Sequence, residues 1–393
     1  MTDSPLPLEG VLVLDFSQFL AGPVAALRLA DLGARVIKVE RPVVGDIGRT
    51  LAFAGLRAGV DTISFHAMNR NKESVAADLK DPEQLEWVRA LARQADVVLQ
   101  NFRPGVVQRL GLDHATLSRE NPRVVYGSIT GYGDTGPWKD RPGQDLLAQS
   151  VSGIPWLQGG ERPTAVGLSI ADHLASCHLA QGITALLLRR ERTGLGGHVE
   201  TSLLESVLDL QFELLSAKLT QPEQVRVRSR GEHSAHTFLS APYGIYPTAD
   251  GYLSIAMNPV PVIGTLLELP ELESMTDPRS WWDSQPRIEQ LISQRLATAG
   301  TAHWLTLLDA ADIWCAPVHT LDELVAHDGF AAIDMVQSIA RTEPDGSRTT
   351  VQTTRSPLRI DGRTLRSGRG APVLGADTAA VRAELAPDPV VPR

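Results

Sequence analysis

Short apolar runs alternate with longer segments of helical periodicity over the first half of the chain. Four of these runs have the length of buried strands: residues 11–16, 36–40, 96–100 and 124–129. Between the runs, apolar positions recur at helical spacing, with Pro23 and Pro82 at helix starts and Gly33 at a helix end. This alternation predicts βαβ units and therefore an α/β fold, a doubly wound parallel sheet of the Rossmann-like type.

The pattern changes near residue 221. Before that point, a long helix is predicted over 171–192, a strand over 199–202 and a further helix over 203–218. Residues 221–250 are polar and rich in turn residues, and a strand and three shorter helices follow. After about 330 the chain reads as short strands and a final helix over 377–385. We therefore predict three segments: a large domain over 1–220, an inserted smaller α+β domain over 221–328, and a C-terminal return to the large domain over 329–393.

Composition and charge narrow the class of protein. The chain has 393 residues, of which 43% are apolar and 21% charged, as is ordinary for a soluble two-domain enzyme. Its net charge of -9 argues against a nucleic-acid partner, which requires a basic surface. The two cysteines, Cys177 and Cys315, form no zinc-binding spacing. No membrane span and no secretory signal is apparent, so we expect a cytoplasmic protein with no membrane partner.

Four basic residues fall near the ends of predicted strands: Arg41, Lys80, Arg103 and Arg109. Individually each is expected to be a solvated surface charge. Collectively, cations at the strand ends of one sheet could hold the phosphates of a large ligand. The usual nucleotide signatures are absent, because the first strand is not followed by GxGxxG and the chain contains no GxxxxGK[ST]. The glycines at 194–197 are better explained as a helix end and a turn.

Two acids fall near predicted helix starts, Asp145 and Asp172. A carboxylate there is commonly a cap, stabilised by the helix dipole by ~0.3–1 kcal/mol. Asp172 has a second interpretation, as a nucleophile that the same helix end keeps ionised. The three nearby histidines, His173, His178 and His198, lack partners at ligand spacing and are interpreted as structural or surface residues.

Several ordered motifs together are similar to those of one enzyme family. They are LEGVLVLD at 8–15, LAGP at 20–23, GARVIKVERP at 33–42, NRNK at 69–72, NFRPG at 101–105, GYGDTGP at 131–137, GQD at 143–145, RTGLGGH at 192–198, APYG at 241–244 and CAPV at 315–318. Nearly the whole chain thus resembles the family III CoA-transferases, which include formyl-CoA and carnitine-type transferases and 2-methylacyl-CoA racemases.

The resemblance implies a subunit whose chain passes from a large to a small domain and back, and a homodimer of two interlocked subunits. It also implies which residues contact coenzyme A. These are Leu20 and Ala21 through their backbones, Arg41, Lys80 and Arg109 at the phosphates, Asn101, Phe102 and Arg103 along the adenine and pantetheine path, Arg141, Gln144 and Asp145 beside the thioester, and Asp78.

Asp172 occupies the position of the nucleophile in the transferases that the chain resembles. Its carboxylate would attack an acyl-CoA carbonyl to give a mixed anhydride, and an aspartyl-CoA thioester would follow. The resemblance implies no metal and no permanently bound cofactor, since the acyl-CoA thioester is itself a substrate. A small carboxylic acid would be the second substrate.

Departures from the family's pattern affect the choice of reaction. Racemases that the chain resembles carry a histidine where this chain has Gln144, and an amide cannot accept a proton near neutral pH. We therefore expect CoA transfer, with racemisation as the alternative if His173 or another base replaced the missing histidine. Formyl and oxalyl transferases carry a glutamine where this chain has Leu51, and the chain lacks their run of glycines near 230–245. A CoA-thioester-binding protein without turnover, or an NAD-dependent oxidoreductase, remains a third class.

Overall fold

The computed structural model describes residues 4–51, 53–159, 162–223 and 233–384. Within these residues the chain forms two compact units. Unit 1 comprises the residues up to Ser152, then Gly167–Phe212, and those from Met335 onward. Unit 2 comprises Gly153–Val166 and Glu213–Asp334. The prediction of separate domains with boundaries at 220 and 328 stays a prediction.

The first part of unit 1 alternates strands and helices. In chain order it contains β1 (Leu12–Asp15), α1 (Ala21–Asp31), β2 (Arg35–Glu40), β3 (Arg57–Ala58), β4 (Asp61–Thr62), α2 (Ile63–Asn69), β5 (Lys72–Ala76), α3 (Pro82–Gln94), β6 (Val97–Gln100), α4 (Val106–Leu110), α5 (His114–Glu120), β7 (Val125–Thr130), α6 (Asp145–Ser152), α7 (Ile170–Thr193), β8 (Gly197–Ser202) and α8 (Leu203–Leu210). Short 3₁₀ turns occupy Ile47–Arg49 and Phe53–Gly55.

Unit 2 is smaller and mixes short strands with helices. It contains most of α9 (Phe212–Thr220), then β9 (Gly244–Pro247), β10 (Tyr252–Ile255), α10 (Val260–Leu266), α11 (Pro270–Glu273), α12 (Ser280–Asp283), α13 (Gln285–Leu296), α14 (Thr301–Asp309), β11 (Cys315–Pro317), α15 (Leu321–Ala326) and α16 (Asp328–Ile333). A 3₁₀ turn at Ile154–Leu157 also belongs to it. Its three strands form an antiparallel sheet, which packs with the helices around Tyr246, Leu253 and Trp304.

The last part of unit 1 adds short strands and a helix. These are β12 (Val336–Thr342), β13 (Arg348–Thr354), β14 (Arg359–Ile360), β15 (Arg363–Thr364) and α17 (Thr378–Glu384). This part is tied to β5, because the Asp377 carboxylate accepts the backbone N–H of Ser74 at 2.8 Å. Among the residues that the structure describes, no helix is long and apolar enough to cross a bilayer.

Six parallel strands form the sheet of unit 1, in the order β5-β2-β1-β6-β7-β8. Apolar β-branched residues pair along its centre, with Val13 opposite both Val36 and Val97. Such residues suit strands that are buried on both faces by helices. The prediction of an α/β fold with a parallel sheet is therefore confirmed, and the four apolar runs correspond to β1, β2, β6 and β7.

Two predictions about local structure need correction. The helix predicted over 203–218 is two helices, because the chain turns at Gln211 and that side chain donates to the backbone oxygens of Ser152 and Val207. The sequence also gave no indication of β5, in which Lys72, Glu73 and Ser74 interrupt the apolar pattern. The long helix α7 agrees with the prediction and ends at Gly194, whose φ of 75° suits glycine.

Candidate active site

Two cavities of unit 1 lie where the parallel strands end. Cavity A, of about 220 Å³, is lined by the residues that follow β1, β2 and β5, and cavity B, of about 380 Å³, by those that follow β6 and β7 and by the first turns of α1, α6 and α7. Phe102, two residues after β6, lines both cavities. Ligands of open α/β sheets bind at this edge.

Nearly all the site residues that the sequence indicated border these cavities. Cavity A is lined by Arg41, Asp78, Lys80 and Phe102. Cavity B is lined by Leu20, Ala21, Asn101, Phe102, Arg103, Arg141, Gln144, Asp145 and Asp172. Arg109 is the exception: it is exposed on α4 and lines neither cavity. Their roles toward a ligand stay predictions.

Arg41 and Lys80 are exposed at the edge of cavity A. Across the described ranges, neither side chain has an acidic partner within ion-pair distance, whereas the exposed Arg35 binds both Glu73 and Glu384. A cation without a partner can bind an anionic ligand and break no contact of the protein. The edge of cavity A is thus suited to phosphate groups.

Buried charges hold the loop between β1 and α1. Lys38, in β2, donates to the backbone oxygen of Ser17 at 2.7 Å and pairs with Asp46 at 2.8 Å. The other oxygen of Asp46 accepts the backbone N–H groups of Phe19 and Gly48. Phe19 has a φ of 67°, a strained conformation for a residue other than glycine, so these contacts help to fix the loop.

Asn101 joins this loop to the end of β6. Its side-chain oxygen accepts the N–H of Gln18 at 2.9 Å, and its amide nitrogen donates to the Gln18 carbonyl at 2.7 Å. Both ends of the amide are therefore engaged with the backbone of Gln18. The residue acts as a cross-link within the wall of the cavity, in addition to the predicted position along the ligand path.

A second polar chain fixes Phe102. The buried Gln100 accepts the Phe102 N–H through Oε1 at 2.7 Å and donates from Nε2 to Ser128 Oγ at 3.2 Å. Ser128 Oγ lies 2.7 Å from Nε2 of His198. Burial, with a smaller contribution from His114, lowers the pKa of His198 to about 4, so its ring is neutral at neutral pH. His198 thus completes this chain of polar contacts, and its interpretation as a structural or surface residue stays a prediction.

Asp172 lies in the first turn of α7, half-buried and facing cavity B. Burial and the nearby charge of Asp145 raise the pKa of its carboxyl to about 7, although a hydrogen bond from the Ala21 backbone N–H opposes the shift. The expectation that the helix end keeps Asp172 ionised is therefore wrong. Burial is the largest of these effects, so this carboxyl loses its proton at a higher pH than an exposed aspartate does.

Asp145 is held by the helix that carries Asp172. One oxygen of Asp145 accepts the backbone N–H groups of Ala171 at 2.7 Å and Asp172 at 3.2 Å, and the other accepts Nε2 of Gln149 at 2.7 Å. Asp145 is the first residue of α6, yet it caps α7. A cap between two helices fixes the position of Asp172 relative to the wall of cavity B.

Some residues that line the two cavities were not identified from the sequence. The main ones are Gln18 in cavity A, and Phe19, Ser64, Met68, Thr130 and Lys139 in cavity B. Ser64 and Met68 belong to α2, a helix of seven residues that is too short to give a clear period. Lys139 could have been noticed, because it lies between two of the motifs quoted above, at 131–137 and 143–145.

Comparison with known proteins identifies the family of this chain. A sequence model of CoA-transferase family III matches residues 8–378. A succinate–glutarate CoA-transferase of Agrobacterium fabrum is 32% identical, with 98% of each chain covered, and an acetyl-CoA:oxalate CoA-transferase of Acetobacter aceti is 33% identical over 97% of this chain and 96% of that one. The crystal structure of a CAIB/BAIF family protein from Brucella suis superposes with a TM-score of 0.80 at 32% identity, covering 98% of this chain and all of that one. The chain therefore belongs to CoA-transferase family III.

Proposed function

We propose that this enzyme moves CoA from an acyl-CoA donor to a carboxylic acid and that Asp172 is its nucleophile. The observation that carries the proposal is a half-buried carboxylate facing a cavity whose wall also contains the first turn of α1. The similar enzymes named for succinate, glutarate and oxalate support acids of that kind as substrates.

The proposed reaction balances without an added proton or metal. An oxygen of ionised Asp172 attacks the thioester carbonyl carbon, the C–S bond breaks, and CoA leaves as a thiolate. The thiolate then attacks the aspartyl carbonyl of the anhydride, which releases the donor acid and forms an aspartyl-CoA thioester. The acceptor carboxylate attacks that thioester to give a second anhydride, and the thiolate finally attacks the acceptor's acyl carbon. This step forms the new acyl-CoA and regenerates the Asp172 carboxylate.

The raised pKa of Asp172 favours this role. A carboxylate that the protein solvates poorly is a better nucleophile than one in water, because attack disperses a charge that burial disfavours. The Ala21 N–H at the start of α1 contacts the carboxyl, and the helix N-terminus favours the ionised form that reacts. A pKa of about 7 leaves the ionised, reactive form of the carboxyl available near neutral pH.

For the ligand, we propose that cavity A holds the nucleotide end of CoA and cavity B the thioester. Arg41 and Lys80 would bind phosphates, with Arg109 beside them and Asp78 in the same wall, while Phe102 would contact the pantetheine arm between the cavities. Gln144 lines cavity B but cannot accept a proton, which supports transfer over racemisation.

We further propose an interlocked homodimer located in the cytoplasm, with no permanently bound cofactor. These proposals rest on the family's pattern in the sequence and on its composition.

Trapping the intermediate tests the proposal. Hydroxylamine added to enzyme and acyl-CoA should convert an acyl-aspartyl anhydride to a hydroxamate, which adds about 15 Da to the peptide that contains Asp172. Asp172→Asn should remove the label and lower turnover by several orders of magnitude. Asp145→Asn serves as the matched control and should still be labelled at Asp172. A label on Asp145, or full activity of Asp172→Asn, would show that the proposed nucleophile is wrong.

A further inference from the structure

Residues 132–142 form a loop whose two ends meet at a pair of glycines. A Cβ added to Gly131 would lie 2.5 Å from the Gly143 Cα, and one added to Gly143 would lie 2.5 Å from the Gly131 Cα. Neither position has room for a side chain, because backbone atoms occupy the space. The contact closes the loop at its base, and we call residues 132–142 the glycine-closed loop.

The glycine-closed loop has internal contacts of its own. The N–H of Gly133 is donated to Thr130 Oγ1 at 2.8 Å, and the N–H of Arg141 to the Trp138 carbonyl at 2.9 Å. The rings of Tyr132 and Trp138 lie 6.4 Å apart. These contacts and the glycine pair define the path of the backbone that carries Lys139 and Arg141.

Both cations of this loop, Lys139 and Arg141, line cavity B. In the part of the chain that the structure describes, neither has an ion-pair partner, even though Asp140 lies between them. Cavity B also contains the carboxyls of Asp145 and Asp172. Both oxygens of Asp145 accept hydrogen bonds from other groups, and the raised pKa of Asp172 reduces its average charge. Two positive charges therefore line a cavity whose two carboxyl groups form no ion pair with them within the described residues.

In its thioester form, coenzyme A offers no anionic partner for these cations at this end of the site, and its thiolate is present only between steps of the proposed reaction. Its phosphates belong to the nucleotide, whereas the pantetheine arm and the thioester are uncharged. The substrate carboxylate that reacts must approach Asp172. A charge that could neutralise Lys139 and Arg141 would thus come from a second anionic group, at the far end of the acid.

We propose that Lys139 and Arg141 bind the remote carboxylate of a dicarboxylic acid and make the enzyme select dicarboxylates over monocarboxylates. This inference rests on the proposed function, since it assumes that the acid reacts at Asp172. A monocarboxylate of equal carbon number would bring an alkyl end to the two cations and would desolvate them without a counter-charge. Selectivity then arises from the glycine-closed loop, and the nucleophile itself does not discriminate.

The test compares acids of matched length with one donor. Purified enzyme, succinyl-CoA and either glutarate or valerate are mixed, and the new acyl-CoA is measured by mass spectrometry; succinate and butyrate are compared with glutaryl-CoA as the donor. We expect kcat/KM to be about 10- to 100-fold higher for each dicarboxylate. This comparison needs no variant. Equal kcat/KM for the two members of each pair would overturn the inference and leave CoA transfer intact, whereas no transfer to any acid would contradict the proposed function.

Substitution of the two cations tests whether they cause the preference for dicarboxylates. Lys139→Met and Arg141→Met should each raise KM for the dicarboxylate about 10-fold, with little change in KM for the monocarboxylate. Arg119→Met is the control, because Arg119 is an exposed cation on α5 that lines neither cavity. Hydroxamate formation at Asp172 from a donor with an uncharged acyl group, such as butyryl-CoA, should persist in Lys139→Met, since Lys139 has no predicted contact with coenzyme A. If the preference for dicarboxylates survives in Lys139→Met and Arg141→Met, these residues are not its source.

Discussion

At the scale of single residues, the pKa of Asp172 governs how the enzyme should respond to pH. Only the ionised carboxylate can attack the thioester, and its pKa is raised to about 7. We therefore expect kcat/KM for acyl-CoA to rise with pH and to level off above an apparent pKa near 7, measured from about pH 5 to about pH 9 by initial rates.

The variant Asp145→Asn tests the contribution of the Asp145 charge to the raised pKa of Asp172. It removes the negative charge that contributes to the raised pKa of Asp172, while the Asn oxygen can still accept the backbone N–H groups of Ala171 and Asp172. The rise in kcat/KM should therefore move to lower pH in this variant. A profile that is flat from pH 5 to pH 8, or one that does not move in Asp145→Asn, would contradict this account of the site.

The same residue shows where sequence reasoning stops. The position of Asp172 in the first turn of a long helix was predictable, because α7 has a clear start and ends at a glycine. Its protonation was not, since the dipole is a local effect and burial is a result of the tertiary structure. Asp145 is a similar case. The sequence indicated an acid at the start of its own helix, α6, but in the structure it caps α7 by accepting the N–H of Ala171, which is 26 residues away in the chain.

At the scale of elements, the strands with uninterrupted apolar runs were predictable and β5 was not. Lys72, in β5, is fully buried, and its ammonium group binds Asp15, the Pro23 carbonyl and Asn69. Ser74 binds Glu40. Each polar side chain of this strand is stabilised by a partner that is distant in the sequence, so the strand lacks the apolar signature on which prediction depends.

The side chain of Gln100, at the end of β6, supports the backbone of Phe102 and can be tested by substitution. Gln100→Leu has a side chain of similar size but leaves the Phe102 N–H without its acceptor, at a cost of about 1–3 kcal/mol, while the Ser128 hydroxyl keeps His198 as a partner. Because Phe102 lines both cavities, we expect KM for acyl-CoA to rise about 10-fold and kcat to change less. Gln108→Leu, an exposed position on α4, is the control for loss of a glutamine. An unchanged KM in Gln100→Leu would show that Phe102 does not need this support.

Steady-state kinetics should be paired with calorimetric titration of CoA, so that a change in binding is separated from a change in chemistry. Thermal unfolding of Gln100→Leu and Gln108→Leu then distinguishes a local effect on Phe102 from a general loss of stability. A ten-fold loss of CoA affinity with a well-folded protein would identify Gln100 as a positioning residue of the CoA site.

At the scale of the whole molecule, the fold class and most of the cavity wall followed from sequence, but by different routes. Strand and helix periodicity predicted the parallel sheet. The CoA contacts were predicted through the family's motifs, since isolated cations such as Arg41 and Lys80 are indistinguishable from surface charges in a sequence. Lys139 was missed for the same reason, and its place in the wall of cavity B is visible only in the structure.

The described residues pass from unit 1 to unit 2 and back twice, and large apolar side chains stay exposed on the single chain: Phe212 at 63%, Leu219 at 81%, Trp314 at 59% and Leu321 at 79%. Scattered apolar residues are normal on a surface, but such high exposure is consistent with cover by a second subunit. We expect light scattering to give twice the 42.5 kDa of one chain at low micromolar concentration. Two interlocked chains cannot separate unless they partly unfold, so loss of the dimer in urea should coincide with loss of secondary structure by circular dichroism. A folded species with the mass of one chain, at any urea concentration below the unfolding transition, would show that the subunits are not interlocked.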